Sequence, residues 1–400
     1  MKIVYIFLGF LFLLQCCAAF YGLPQLLDPD EMIFVEGAYQ ILRPPFGDPQ
    51  WYGAPASTIM SFMAAAYIPY IVILMFGFGI NNPGEFLLAD PSGFVLIGRL
   101  LCVCIYMLSV IAFFRLSNRL MDKYPAYFAT ACFAFAPQLV WFSHTIRMDG
   151  AMILFLILLF HACLEIQKSG SWKSYLCAGA SFGAAVVSKY PSVIGFVAVL
   201  VSSFLSFRQT GSSFKDMAVK VMACGLTSLL VAFVFGPYLF LNFSGMLQDV
   251  LFEARSSHLS ATSNGFWDNL VFYSGSGLLQ IVGAGTIFAA LLGLIKILRT
   301  KETFFKILPI LVFSLCFLVF ISSLSLQWAR WELPLIILLC LLAGYGYQVC
   351  ADVFSTAKAG QILQKTAVVL LLLPAIIPSA RILCLHALNL DTRVIAYEWI

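Results

Sequence analysis

Asp28-Pro29-Asp30-Glu31 places three carboxylates within four residues, close behind an apolar stretch. A carboxylate at the edge of an apolar environment can accept a proton from a hydroxyl in a general-base step. The same run also reads as a helix start. Asp28 suits the N-cap, Pro29 the first helical position, and Glu31 stands three residues after the cap, with the helix running toward Leu42. A second group is Arg147-Met148-Asp149, with His144 just before it. Asp149 can be a helix cap and Arg147 an interfacial anchor, or both can face a substrate. Lys189 in Lys189-Tyr190-Pro191, Arg99, and Arg330 in Gln327-Trp328-Ala329-Arg330-Trp331-Glu332 are cations at the ends of apolar runs. Such residues either snorkel to headgroups or mark a site. Together, cations beside carboxylates suit an anionic lipid phosphate and a proton-accepting step.

Other chemistry is poorly represented. His258 lies in a polar segment with Asp249, Glu253 and Arg255, and reads as a proton carrier, a ligand or plain surface. The four histidines form no HExxH pair, and there is no CxxC, phosphate-binding glycine loop or dinucleotide fingerprint. The twelve cysteines fall in apolar runs or at their ends and read as small packing residues.

The elements that must position these residues are membrane helices. The chain is 62% hydrophobic and 10% charged, with a mean hydropathy of +0.95. Soluble domains carry about 45–50% apolar and about 25% charged residues. At ~20 residues per crossing the chain has room for ten or eleven spans. The runs are continuous, unlike the ~10-residue alternation of a β-barrel. A net charge of +4 is too small to argue for nucleic acid.

Twelve apolar runs can be drawn: 3–21, 58–80, 94–114, 125–142, 150–167, 174–189, 191–207, 220–241, 276–298, 307–325, 334–351 and 366–387. The positive-inside rule tests them. Five basic clusters lie between runs: Arg115, Arg119 and Lys123; Lys168 and Lys173; Arg208, Lys215 and Lys220; Lys296, Arg299, Lys301 and Lys306; Lys358 and Lys365. If 58–80 crosses, all of them fall outside. If it does not, they join Lys2 inside, and 15 of the 23 Lys and Arg are cytoplasmic. The run 58–80, which contains Pro69 and is followed by Asn-Asn-Pro-Gly, therefore reads as an interfacial or re-entrant helix. The expectation is an all-α, polytopic membrane protein with about eleven transmembrane helices. Its N-terminus is inside, its C-terminus outside, and a long first outer loop, 22–93, contains interfacial helices. A second outer loop spans 242–275. Every candidate site residue then lies at the outer face.

In order and sidedness these motifs resemble the polyprenyl-phosphate-sugar-dependent membrane glycosyltransferases of the GT-C fold. The resemblance is to glycosyltransferase family 39, which includes protein O-mannosyltransferases and the aminoarabinose transferases of lipid A. Asp30-Glu31 matches the family's Asp-Glu motif in the first outer loop. Trp51-Tyr52-Gly53-Ala54-Pro55 precedes the interfacial helix but lacks the frequent His-Pro-Pro. Arg99, Arg147-x-Asp149, Lys189-Tyr190-Pro191, Gly236-Pro237-Tyr238 and Arg330 with Leu333-Pro334 follow in order. Residues 1–390 read as a membrane catalytic domain. Residues 391–400, with Asp391-Thr392-Arg393 and Trp399, read as the start of an outer tail, either short or truncated here.

The resemblance implies inverting transfer of a sugar from a polyprenyl-phosphate donor to a hydroxyl of a lipid, protein or glycan acceptor, on the periplasmic or extracellular side of a cell membrane. Asp30 would be the base or would orient the acceptor. Glu31 and Asp149 would support it or hold a divalent cation at the donor phosphate. Arg99, Arg147, Lys189, Tyr190, His258 and Arg330 would bind substrate, with Lys189 and Arg330 neutralising the phosphate. A transporter or flippase would need polar groups midway through the spans, whereas the ionisable groups here gather at span ends. An envelope-assembly scaffold without catalysis is the remaining reading.

The charge distribution makes a direct prediction. Single-cysteine probes near positions 85 and 145 should react with an impermeant maleimide added outside, and probes near 119 and 215 should not. Labelling at 119 from outside would overturn the topology.

Overall fold

The computed structural model describes residues 2–53, 56–255, 265–354 and 358–399. His258, Ala54 and Pro55 lie outside them. The described residues form helices and connecting turns. In chain order these are α1 (Lys2–Ala18), α2 (Asp30–Ile41), α3 (Ser57–Val72) with a π-helical turn Ile73–Gly77, α4 (Pro83–Ala89), α5 (Ser92–Leu120), α6 (Lys123–Ala134), α7 (Pro137–Ser143), α8 (Met148–Ser169) and α9 (Trp172–Ser188). A 3-10 turn Tyr190–Gly195 leads into α10 (Phe196–Thr210). Then come α11 (Phe214–Phe235), α12 (Tyr238–Leu241), α13 (Phe243–Glu253), α14 (Phe266–Ser274), α15 (Ser276–Val282), α16 (Ala284–Arg299) and α17 (Lys301–Ser322). A second 3-10 turn, Ala329–Glu332, precedes α18 (Leu335–Phe354), α19 (Lys358–Ala387) and α20 (Thr392–Trp399).

Among the described residues, eight helices are long and apolar enough to cross a bilayer, or up to ten if each of two bent pairs counts as one span. The expected eleven differ in composition as well as number. They include α1 and α9, which at 17 residues each fall short of that length. They omit Ser57–Gly77, which at 21 residues qualifies. The run 125–142 is also not one helix. Pro137 opens α7 at 61° to α6, because a proline cannot donate to the preceding turn. The run 276–298 bends by 117° between α15 and α16 at Gly283, whose φ of 78° favours glycine.

The contacts of α3 show how it sits. The Thr58 hydroxyl lies 2.6 Å from that of Ser188 at the end of α9, and the Ser61 hydroxyl donates to the Phe235 carbonyl at the end of α11, at 3.1 Å. Further along, the Tyr67 hydroxyl donates to the Phe94 carbonyl at the start of α5, at 3.1 Å. Successive long helices run to and fro, so the start of α5 and the ends of α9 and α11 share one end of the bundle. Nine residues of helix advance ~14 Å, yet α3 meets the same end throughout. The helix thus packs against the start of α5 and the ends of α9 and α11, and its length would also let it cross a bilayer.

The helices approach closely where side chains are small. A Cβ on Gly179 or Gly183 of α9 would come within 2.3 Å of the Cys224 or Ser228 carbonyl of α11. Such small-residue seams let membrane helices pack backbone to backbone. Here the seam fixes the helix that delivers Lys189.

One ionic contact holds the end of the bundle together. Arg99, two turns into α5, donates to both oxygens of Glu31 in α2, at 2.9 and 2.6 Å, and both side chains are fully buried. The same guanidinium donates to the Ala19 carbonyl, at 3.0 Å, and to that of Tyr21, beyond the end of α1. Glu31 also accepts the Ile146 amide at 2.8 Å. A buried pair is tolerated only when its remaining hydrogen-bonding atoms are satisfied in this way. A second tie, His144 to His386 at 2.6 Å with Gln15 on the other ring nitrogen of His144 at 2.9 Å, joins α1, the turn after α7 and α19.

Removing one partner of the clamp strands the other. Arg99→Met should lower stability by ~3–5 kcal/mol, read by thermal or denaturant unfolding in detergent. A loss below ~1 kcal/mol, the value of an exposed pair, would contradict the clamp.

Candidate functional site

The site is built from one strand of sequence and three turns. Asp28 and Asp30 flank Pro29 at the start of α2, Arg147 and Asp149 flank Met148 at the start of α8, Lys189 caps α9, and Arg330 lies in the turn before α18. Arg147 uses its fork. One terminal nitrogen donates to both oxygens of Asp28, each at 2.8 Å, and the other donates to Asp30. Its guanidinium also lies over the Phe142 ring, 5.7 Å from the centroid. Lys189 donates to Asp149 at 2.6 Å, with both side chains buried. Arg330 stacks on Trp328, at 4.3 Å, and stands 3.8 Å from the Asp30 oxygen that Arg147 holds.

These three carboxylates and three cations form one electrostatic unit. Burial pushes the Arg330 pKa down, against the pull of Asp149, and Arg147 pushes it down further. Burial likewise lowers Lys189, only partly offset by Asp149. For Arg147 burial also works against the charge, but Asp28 and Asp30 outweigh it and the net shift is upward. Arg147 is thus the cation best matched by carboxylates, while Arg330 and Lys189 have positive neighbours as well. Exposure is uneven too. The Asp30 side chain is 46% exposed and that of Arg330 24%, against 2% for Asp149.

The expected site residues therefore divide. Asp30, Asp149, Arg147, Lys189 and Arg330 come together. Glu31 and Arg99 are spent on each other below the site, with no surface of their own. Tyr190 turns to the loop 48–53, donating to the Tyr52 carbonyl at 3.1 Å. His258 lies outside the described residues. Asp30, Glu31 and Asp149 do not form a common donor set for a divalent cation: Glu31 is taken by Arg99 and Ile146, Asp149 by Lys189, and Asp30 by Arg147. Among the described residues no group of three or more His, Cys, Asp or Glu is arranged to hold a metal.

Asp28 fills its expected role at the helix start, with Pro29 already helical at φ −64° and ψ −25°, and it has a second role besides. The Asp28 carboxylate accepts the Asp30 amide at 3.3 Å but is otherwise directed at Arg147. Capping grammar is local, and Arg147 is far away in sequence. Glu332 was also not singled out, and it is fully buried with both oxygens unpartnered among the described residues.

Met152, Lys189, Pro191, Phe317, Ile321 and Trp331 meet beside the cluster in a shallow seam too narrow to admit a water molecule. A larger cavity, near Tyr175, Ser206 and Lys220, opens at the opposite ends of α8 to α11, away from these carboxylates.

A family model described as dolichyl-phosphate-mannose-protein mannosyltransferase matches residues 87–239, a span that holds Arg99, Arg147, Asp149 and Lys189. The structure of ArnT from Cupriavidus metallidurans bound to undecaprenyl phosphate aligns with a TM-score of 0.61 at 14% identity, covering 96% of this chain and 76% of that one. The fold is GT-C. The Archaeoglobus fulgidus oligosaccharyltransferase, tethered with an acceptor peptide, aligns with a TM-score of 0.52 at 12% identity, over 95% of this chain and 55% of its own. No curated protein sequence matches the chain. The resemblance read from the motifs is thus met by a family model over part of the chain and by a shared GT-C architecture over nearly all of it.

Within this GT-C bundle Glu332 gives a testable pH effect. Burial raises its pKa to about 9, against ~4.3 for a free Glu. The fold therefore favours the protonated acid. The contribution to stability is intact below the unfolded value and is lost as pH rises toward 9. Glu332→Gln should unfold at a higher temperature than the parent at pH 8, with the gap closing near pH 4. Equal melting curves at both pH values would contradict the assignment.

Proposed function

We propose that this chain is a membrane glycosyltransferase that moves a sugar from a polyprenyl-phosphate donor to an acceptor hydroxyl, with inversion, on the outer face. The observation that carries the reading is the cluster at one end of the bundle. A half-exposed carboxylate, Asp30, stands next to the incompletely neutralised cation Arg330, with Lys189 in the same charge network. The family-model match and the GT-C fold support it.

The chemistry is a single displacement. The acceptor oxygen attacks the anomeric carbon as the bond from that carbon to the phosphate oxygen breaks. The electron pair stays on the departing polyprenyl phosphate. The hydroxyl proton passes to Asp30. Arg330 and Lys189 stabilise the charge that grows on the phosphate, as preorganised cations do. Asp149 keeps Lys189 charged and in place, and Arg99 with Glu31 holds the scaffold. The positive-inside distribution supports the outer face.

The test uses purified protein in liposomes with a panel of undecaprenyl-phosphate sugars, following release of undecaprenyl phosphate. One donor should turn over. Asp30→Asn should fold and bind undecaprenyl phosphate yet transfer at least ~10²-fold more slowly, the value of a general base. Near-normal transfer by Asp30→Asn would remove Asp30 from the chemistry.

A further inference from the structure

We propose that Asp28 is a positioning residue of the transfer site, which acts by holding Arg147 so that Arg147 fixes the carboxylate of Asp30. The proposal rests on the reading of Asp30 as the base and adds two residues that orient it without touching substrate.

The hydrogen bonds set the direction of the argument. Arg147 gives two bonds to Asp28 and one to Asp30. A guanidinium is planar, so three bonds within one fork leave it a single orientation. Its side chain is 11% exposed, and its remaining nitrogen, Nε, is buried without a partner among the described residues. Little of Arg147 is left to meet a phosphate. Arg330 is different: its guanidinium is more exposed and only loosely matched to Asp30, at 3.8 Å. The structure therefore assigns direct phosphate contact to Arg330, with Lys189 buried behind it on Asp149, and moves Arg147 from substrate binding to positioning.

The consequence for Asp30 is specific. Both guanidiniums lie on its Oδ2. A carboxylate held by one oxygen from a rigid donor cannot swing about χ2, so Oδ1 is presented in one direction. That is the atom left for the acceptor hydroxyl. Pro29, with φ of −64°, joins the two aspartates in one bend, so both reach the same guanidinium. A loose Arg147 would allow Asp30 to rotate, and a misplacement near 1 Å can cost ~10²-fold in rate.

The test compares Asp28→Asn and Arg147→Lys with the parent and with Asp30→Asn. Asn keeps the shape of Asp28 and weakens its hold. Lys keeps the charge of Arg147 and loses the fork. With the active donor from the panel, each should lower kcat by ~10-fold to 10²-fold while leaving donor KM and undecaprenyl phosphate affinity no weaker. The double variant should be no slower than the worse single one, because both act on one chain of contacts. Should Asp28→Asn fail to fold, Arg147→Lys carries the same comparison. Parental kcat in Asp28→Asn, or weakened undecaprenyl phosphate binding with parental kcat in Arg147→Lys, would overturn the proposal. Either result beside a slow Asp30→Asn would leave the base reading standing. A fast Asp30→Asn would instead remove the base reading itself.

Discussion

A guanidinium and a carboxylate withdrawn completely from solvent are tolerable only if they find each other and their other hydrogen-bonding atoms are filled. Arg99 and Glu31 meet that condition, and most of the site depends on how they do so. The carbonyls of Ala19 and Tyr21 that complete Arg99 bring the end of α1 against α5. The Ile146 amide that completes Glu31 brings the turn before α8 against α2. Once Ile146 is there, the next residue, Arg147, is within reach of the carboxylates beside Glu31. Helical residues point ~100° apart around the axis. With Glu31 fixed inward, Asp30 is turned toward the open side. A contact with no exposed surface thus decides which carboxylate can meet a substrate.

The charges above the clamp are matched one for one in number but not in distance. Arg147 and Lys189 are tightly paired, and Arg330 is not. An assembly that was fully paired would have little to offer an anion. An assembly of bare cations would repel itself and weaken the fold. The observed arrangement keeps two cations held by aspartates and leaves a third partly unmatched at the more exposed edge. Burial, and after it the neighbouring cations, hold the pKa values of Lys189 and Arg330 down. A phosphate at that edge would offset their charge.

Much of this was legible in residue types and their sidedness. Asp30, Arg147, Asp149, Lys189 and Arg330 stand out as ionisable groups at the same ends of apolar runs, and the structure gathers them. What was not legible depended on distant partners. Glu31 and Arg99 looked like site residues because both lie at the boundary of apolar runs, but their mutual burial is a tertiary fact. Asp28 is at the helix start, as its residue type suggests, but no local pattern announces its second partner, a guanidinium from another turn. Helix breaks were half legible. Pro137 was in plain view, but an apolar run averages over it. The length of Ser57–Gly77 argues for a crossing, whereas the charge distribution in the sequence argues for an interfacial helix. The pairing of His144 with His386 had no sequence signal at all.

Glu332 and Glu31 meet the same difficulty in two ways, and the contrast sharpens the assignment of roles. Glu31 is buried against Arg99, which donates to both of its oxygens. Glu332, equally buried and without a hydrogen-bond partner among the described residues, is pushed by burial to a pKa of about 9, which favours the neutral acid. Neither solution leaves a group free to act on a molecule arriving from outside. One is locked by partners and the other by burial. Chemistry at this end of the bundle must therefore fall to groups that are charged, partly exposed and incompletely paired. Among the ionisable residues of the cluster, Asp30 and Arg330 satisfy all three conditions most nearly, and they stand next to each other. That adjacency is what the proposed displacement at a sugar phosphate would need of a base and a phosphate-neutralising cation.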